Sequence, residues 1–157
     1  MYLTKEVLEL CRENGLTLST AESCTGGLIA KELTDISGAS AVFLGGVVSY
    51  TNDVKADLLG VPRPMLAKFG AVSEQVARAM AEGVRSATGS DLALSVTGLA
   101  GPDGDDRGNP VGLVYIGLAS KNATPVRQYR FNGDRATIRC QTAIQALAML
   151  KDYLEGV

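Results

Sequence analysis

Apolar side chains near the start of the chain fall at Leu3, Val7, Leu8 and Cys11, a helical spacing over residues 2–13 that Asn14-Gly15 stops. TLST at 17–20 reads as a short strand. Ser19 with Glu22 three residues on resembles a capping box, which predicts a helix beginning near Ser23 and running to about 35. The run 42–51 predicts a strand with a Gly-Gly kink. A short helix then begins at Asn52 and Asp53 and runs through Leu59. Gly60 ends it, and Pro62 and Pro64 frame a turn.

Ser73 is placed to cap a helix that carries Val76, Met80, Val84 and Ala87 on one face. Residues 91–98 form a buried strand opening into a glycine loop, LAGPDGDDRGNP. Strands follow at 111–120 and 126–131. A last helix runs from Asp134 to the end, with Ala143, Ala146, Leu147, Leu150 and Leu154 on one stripe. The order αβαβααβββα describes one layered α/β domain over 1–157, with no repeat and no linker.

Composition removes several function classes. With 15 basic and 17 acidic residues the net charge is −2, so no electrostatic footprint points to nucleic acid or an anionic membrane. The N-terminus does not read as a signal peptide, and no apolar run approaches a membrane span. Cys11, Cys24 and Cys140 are widely spaced and form no CxxC pair, which fits a reduced, cytoplasmic compartment. The chain has no histidine. That excludes a Ser-His-Asp triad, a Cys-His pair and an HExxH zinc site. An enzyme built on this chain needs Lys, a carboxylate, Tyr or a bound cofactor as its base.

Four constellations carry candidate chemistry. In TAESCTGG at 20–27, Ser23 stands where a strand leads into the expected helix. Unpaired amides and the helix dipole there favour a developing alkoxide and oxyanion. Gly26 and Gly27 permit close approach of a ligand or another helix. In VSYTNDVK at 48–55, Lys55 lies in the first turn of its helix, which disfavours its charge. Burial would lower its pKa further. Tyr50 is placed to donate a hydrogen bond to the same site. In SVTGLAGPDG at 95–104, the strand end at Thr97 and Gly98 opens into amides suited to a phosphate or carboxylate. In GDRATIR at 133–139, Arg135 and Arg139 share one helix face and suit a phosphate clamp. Each also has a structural reading: caps, a solvated lysine, an ordinary turn, surface ion pairs.

Jointly, AESCTGG, GGVVSYTNDVK, GAVSEQVA, SVTGLAGPDG, NPVG and FNGDRATIR resemble the CinA C-terminal domain family over residues 4–153. The family's characterised activity is nicotinamide mononucleotide deamidation (PncC-like). The resemblance implies a three-layer α/β/α sandwich with a mixed, mostly parallel central sheet, at the length of the stand-alone form. It implies a Ser/Lys amidohydrolase needing no metal or cofactor, with Ser23 as nucleophile, Lys55 as base and Tyr50 beside them. It implies a pyridine mononucleotide as substrate, bound by Cys24, Thr25, Gly26, Thr97, Gly98 and either Arg135 or Arg139. Family members often carry a basic residue where this chain has Cys140. A homo-oligomer is expected from the family and from the apolar last helix.

Two rivals stand beside this reading. Cys24 with Glu22 and Lys55 would make a Cys-Glu-Lys amidase. Alternatively, the chain is a nucleotide-binding module of competence or DNA-damage response without catalysis.

Overall fold

A computed structural model describes residues 2–157. The elements are α1 (Tyr2–Glu13), β1 (Leu18–Glu22), α2 (Leu28–Thr34), β2 (Phe43–Val48), α3 (Asn52–Leu59), α4 (Arg63–Phe69), α5 (Glu74–Thr88), β3 (Leu92–Gly98), β4 (Leu113–Ala119), β5 (Val126–Arg130) and α6 (Arg135–Glu155). The strands form one mixed sheet in the order β2-β1-β3-β4-β5. β1 pairs in parallel with β2 and β3, whereas β4 is antiparallel to β3 and β5. Four of the five strands therefore point the same way. Among the described residues no helix is long and apolar enough to cross a membrane.

Alternation along the central strands sorts the side chains into two cores. Leu18, Leu92, Leu94 and Val96 pack on one face with Val7, Leu8, Leu33, Ile138 and Leu150 of α1, α2 and α6. Ala21, Ala93 and Ala119 pack on the other with Leu59, Leu66, Val76, Met80 and Val84 from α3, α4 and α5. Small strand residues on this second face let α5 lie close. The Ser95 hydroxyl donates to the Ala77 carbonyl at 2.6 Å. The result is the α/β/α sandwich, and all five residues of the stripe expected on α6 are buried.

Three local expectations are corrected. The helix expected near Ser23 begins at Leu28, after a turn at 24–27 in which Gly26 and Gly27 adopt φ of +61° and +103°. Ser19 does not cap it. It lies within β1, which pairs on both sides, and its hydroxyl meets Ser90 Oγ at 2.7 Å. Glu22 does cap the helix, but from the strand end. Its buried carboxylate accepts the N–H groups of Ile29 and Ala30 at 2.8 and 3.0 Å.

The expected strand at 42–51 is shorter, because the chain leaves the sheet edge at Ser49. The turn expected around Pro62 and Pro64 is the start of α4. Proline is tolerated in the first helical turn, where its missing N–H has no intrahelical partner. The other boundaries follow their caps. Thr51, Ser73 and Asp134 accept N–H groups three residues on, and Gly60 ends α3.

The direction of the chain reverses between β1 and β3. It leaves β1 through α2 on one face toward β2, then returns through α3–α5 on the other face to β3. A crevice outside the carboxyl ends of strands at such a reversal is the usual ligand site of an α/β sheet.

Candidate active site

The carboxyl ends of β1, β2 and β3 and the N-terminal half of α3 converge on a cavity of about 540 Å³, within the range of small-molecule sites. Ser23 follows directly on β1, and its amide donates to the Val96 carbonyl of β3 at 3.1 Å. This bond fixes the backbone where the serine leaves the sheet. Strand alternation places Ser23, like Ala21, on the α3–α5 side, where Lys55 arrives.

Lys55 is 1 % exposed. Its Nζ lies 3.0 Å from Ser23 Oγ, 2.8 Å from the Ser49 carbonyl and 3.5 Å from the Tyr50 carbonyl. Among the described residues no carboxylate is paired with it. Burial pushes its pKa down to about 8, with the nearby Cys24 thiol opposing. A neutral amine in this position can give its two N–H groups to the carbonyls and turn its lone pair to the serine hydroxyl. This is the geometry of a nucleophile and its base.

The turn after Ser23 is tied down on its other side. Arg139 Nε donates to the Cys24 carbonyl and its Nη2 to the Thr25 carbonyl, both at 3.0 Å. The Gly26 amide donates to the Ser23 carbonyl at 3.1 Å, so it is engaged within the turn. Among the described residues the amides of Cys24 and Thr25 take no protein acceptor.

The remaining expected residues divide. Cys24, Tyr50, Thr97, Gly98 and Arg135 line the cavity with Ser23 and Lys55, whereas Thr25, Gly26 and Arg139 do not. The Tyr50 phenol does not point at the Ser–Lys pair. It accepts from Arg135 Nη2 at 2.9 Å, and Lys55 meets only its backbone carbonyl. Arg135 also donates to the Gly101 carbonyl at 2.7 Å, joining α6 to the glycine loop. The buried Thr97 hydroxyl donates to the Ala71 carbonyl at 2.7 Å, so it closes the floor of the cavity. Cys140 opens on a separate apolar groove with Leu3, Leu28 and Ile144, so its identity does not touch the cavity.

The thiol rival finds no support in this geometry. Burial pushes the Cys24 thiol up to about 12, far from a thiolate at neutral pH. Glu22 is occupied by Ile29, Ala30 and the Thr25 hydroxyl, the last at 2.6 Å.

Sequence reasoning did not find two contributors. The Ser49 carbonyl holds Lys55, and a backbone acceptor leaves no residue-type signal. Arg107 lines the cavity and donates to the carbonyls of Ala67 and Lys68 at the end of α4, joining the glycine loop to that helix. Its only sequence signal is a single basic residue among aspartates.

The model of the CinA C-terminal domain family matches residues 1–154. A CinA-like protein of Geobacter sulfurreducens is 57 % identical over 148 residues, covering 94 % of this chain and 36 % of that protein. A putative competence-damage inducible protein of Desulforudis audaxviator is 51 % identical over 150 residues, covering 96 % of this chain and 36 % of its own. The chain thus spans about a third of the length of these curated relatives. Among solved structures, a CinA superfamily protein of Klebsiella pneumoniae superposes with a TM-score of 0.97 at 33 % identity, covering 99 % of this chain and 98 % of that one. The competence/damage-inducible protein CihA of Agrobacterium tumefaciens gives 0.93 at 44 % identity, covering 98 % and 94 %.

Proposed function

Because the chain belongs to the CinA C-terminal domain family, we propose that it is a nicotinamide-nucleotide amidase, converting nicotinamide mononucleotide to nicotinate mononucleotide and ammonia. The observation that carries this reading is the buried, carboxylate-free contact of Lys55 Nζ with Ser23 Oγ at 3.0 Å.

Neutral Lys55 takes the proton of Ser23 as Oγ attacks the carboxamide carbon. The carbonyl oxygen becomes an oxyanion facing the free amide of Cys24, which lines the cavity. Collapse breaks the C–N bond, and Lys55 returns its proton to the departing nitrogen, which leaves as ammonia. Lys55 then takes a proton from a water molecule as its oxygen attacks the acyl carbon. The bond to Ser23 Oγ breaks, Lys55 gives that proton to Oγ, and the acid product leaves as the carboxylate after losing its remaining proton to solvent.

The pyridinium of the substrate withdraws electrons from the carbonyl. Held near Lys55, it would lower the lysine pKa further. Arg135, exposed at the rim with guanidinium donors beyond the two in use, suits the phosphate.

The product belongs to pyridine nucleotide salvage, and this chemistry fits a cytoplasmic enzyme. The test is ammonia release from a panel of nicotinamide nucleotides and nucleosides. Release from the mononucleotide that Ser23→Ala and Lys55→Ala both abolish is expected. Tight nucleotide binding with no ammonia would instead support the non-catalytic binding module.

A further inference from the structure

Arg139 shares a helix face with Arg135, and two arginines four residues apart read as one clamp. The structure separates them. Arg135 lines the cavity, whereas Arg139 does not and gives its guanidinium to two backbone carbonyls. The carbonyls it holds belong to Cys24 and Thr25, the two residues that follow the candidate nucleophile.

In a trans peptide the C=O and N–H point in opposite directions. Two carbonyls converging on one guanidinium therefore send the N–H groups of Thr25 and Gly26 away from Arg139. The Gly26 N–H ends on the Ser23 backbone carbonyl at 3.1 Å, which closes the turn on the residue before Cys24. Cys24 is thereby fixed at both of its peptides, through the Ser23 carbonyl before it and its own carbonyl after it. Its free amide, on a residue that lines the cavity, is held next to the nucleophile.

The glycine in the turn fits the same device. A Cβ on Gly26 would stand 3.1 Å from Arg139 Nη2, on a residue whose φ is +61°. A side chain there would have to push the guanidinium aside by a few tenths of an ångström and adopt a left-handed backbone.

We propose that Arg139 is a positioning residue. It locks the Cys24–Thr25 turn so that the free Cys24 amide is aimed at the oxyanion, and it is not a ligand of the substrate phosphate. The inference rests on Ser23 as the nucleophile. A displacement of an amide by about 1 Å from its productive position is enough for a loss of roughly 100-fold.

Two measurements test it in the full chain. In the first, Arg139→Ala and Arg139→Lys are assayed for ammonia release from nicotinamide mononucleotide and from the corresponding nucleoside, which lacks the phosphate. The expected result is a fall in kcat of roughly 10- to 100-fold for Arg139→Ala. KM should stay near wild type, both substrates should lose by the same factor, and Arg139→Lys should recover part of the rate. A rise in KM confined to the nucleotide makes Arg139 a phosphate ligand and overturns the proposal.

The second measurement does not depend on the substrate. A fluorophosphonate probe labels an activated serine through the same oxyanion geometry, and its rate on Ser23 is measured with the folded fraction of each variant from circular dichroism. Slower labelling per folded molecule in Arg139→Ala supports positioning. Unchanged labelling per folded molecule, with stability alone reduced, leaves Arg139 a structural residue and overturns it. Wild-type labelling at Ser23 without ammonia release from any nucleotide would refute the proposed substrate while leaving the role of Arg139 testable by labelling.

Discussion

Lys55 Nζ reaches Ser23 Oγ at 3.0 Å across 32 positions of chain, from a helix to the end of a strand in another layer. The contact exists because β1 and β2 are parallel neighbours. The chain turns at Ser49 and Tyr50, and α3 then brings its fourth residue back over the end of β1. Ser23→Ala or Lys55→Ala should reduce ammonia release by at least about 10³-fold, with the far-ultraviolet circular dichroism unchanged. Near wild-type release from either folded variant would end the Ser/Lys assignment.

The reaction should accelerate as pH rises. With the Lys55 pKa lowered to about 8 by burial, roughly a tenth of the enzyme holds a neutral base at pH 7. kcat/KM measured from pH 6 to 10 should climb tenfold per pH unit below the pKa and level off above it. A flat profile over pH 6–8 would show that a different group carries the proton.

The same burial carries a cost in stability. Below pH 8 Lys55 is charged in both folded and unfolded chains, and only the folded chain bears the desolvation penalty. Between about pH 8 and 10.5 the folded chain is neutral while the unfolded chain still binds the proton, so the penalty fades as pH rises. Lys55→Met should therefore stabilise the fold at pH 7 by up to roughly 3 kcal/mol, and by little above pH 10. Urea unfolding at the two pH values reads this difference. Equal effects at both would place the cost elsewhere.

Cys24→Ala should keep activity within a few-fold, because the thiol is protonated at neutral pH and the substitution leaves the backbone amide in place. Loss of turnover in a folded Cys24→Ala would revive the thiol nucleophile.

Glu22→Gln should destabilise the protein by about 1–3 kcal/mol. It exchanges one carboxylate oxygen for an amide nitrogen at a site where both oxygens accept N–H groups from α2. Thermal unfolding checks this, and an unchanged melting temperature would show that the cap contributes nothing.

Gly26→Ala should lower both stability and turnover. The left-handed φ of +61° costs an L-residue about 1–2 kcal/mol, and the added methyl presses on Arg139. An Arg139→Ala background should relieve the steric part but not the backbone part.

Periodicity was sufficient for the long elements. α1, α5 and α6 and the buried strand β3 follow from apolar spacing and caps, because burial of one face and satisfaction of end groups are local demands. The start of α2 was not legible. Ser19 and Glu22 match a capping box in composition, but Ser19 is claimed by a strand in which its partners are the distant Gly45 and Ala93. The same carboxylate then caps the helix from outside the motif.

Ser23 and Lys55 were selected by sequence, through the absence of histidine and the family resemblance. Alone, each had an ordinary structural reading. The tertiary structure decided what those residues experience: the 3.0 Å approach, the burial that lowers the lysine pKa, and the pairing of Tyr50 with Arg135. It also separated Arg135, which lines the cavity, from Arg139, which holds the Cys24 and Thr25 carbonyls, although both sit on one helix face. Residue type and spacing fix which groups a chain carries. Distance and desolvation depend on contacts between distant segments, and these set which group can serve as a base, a cap or a brace.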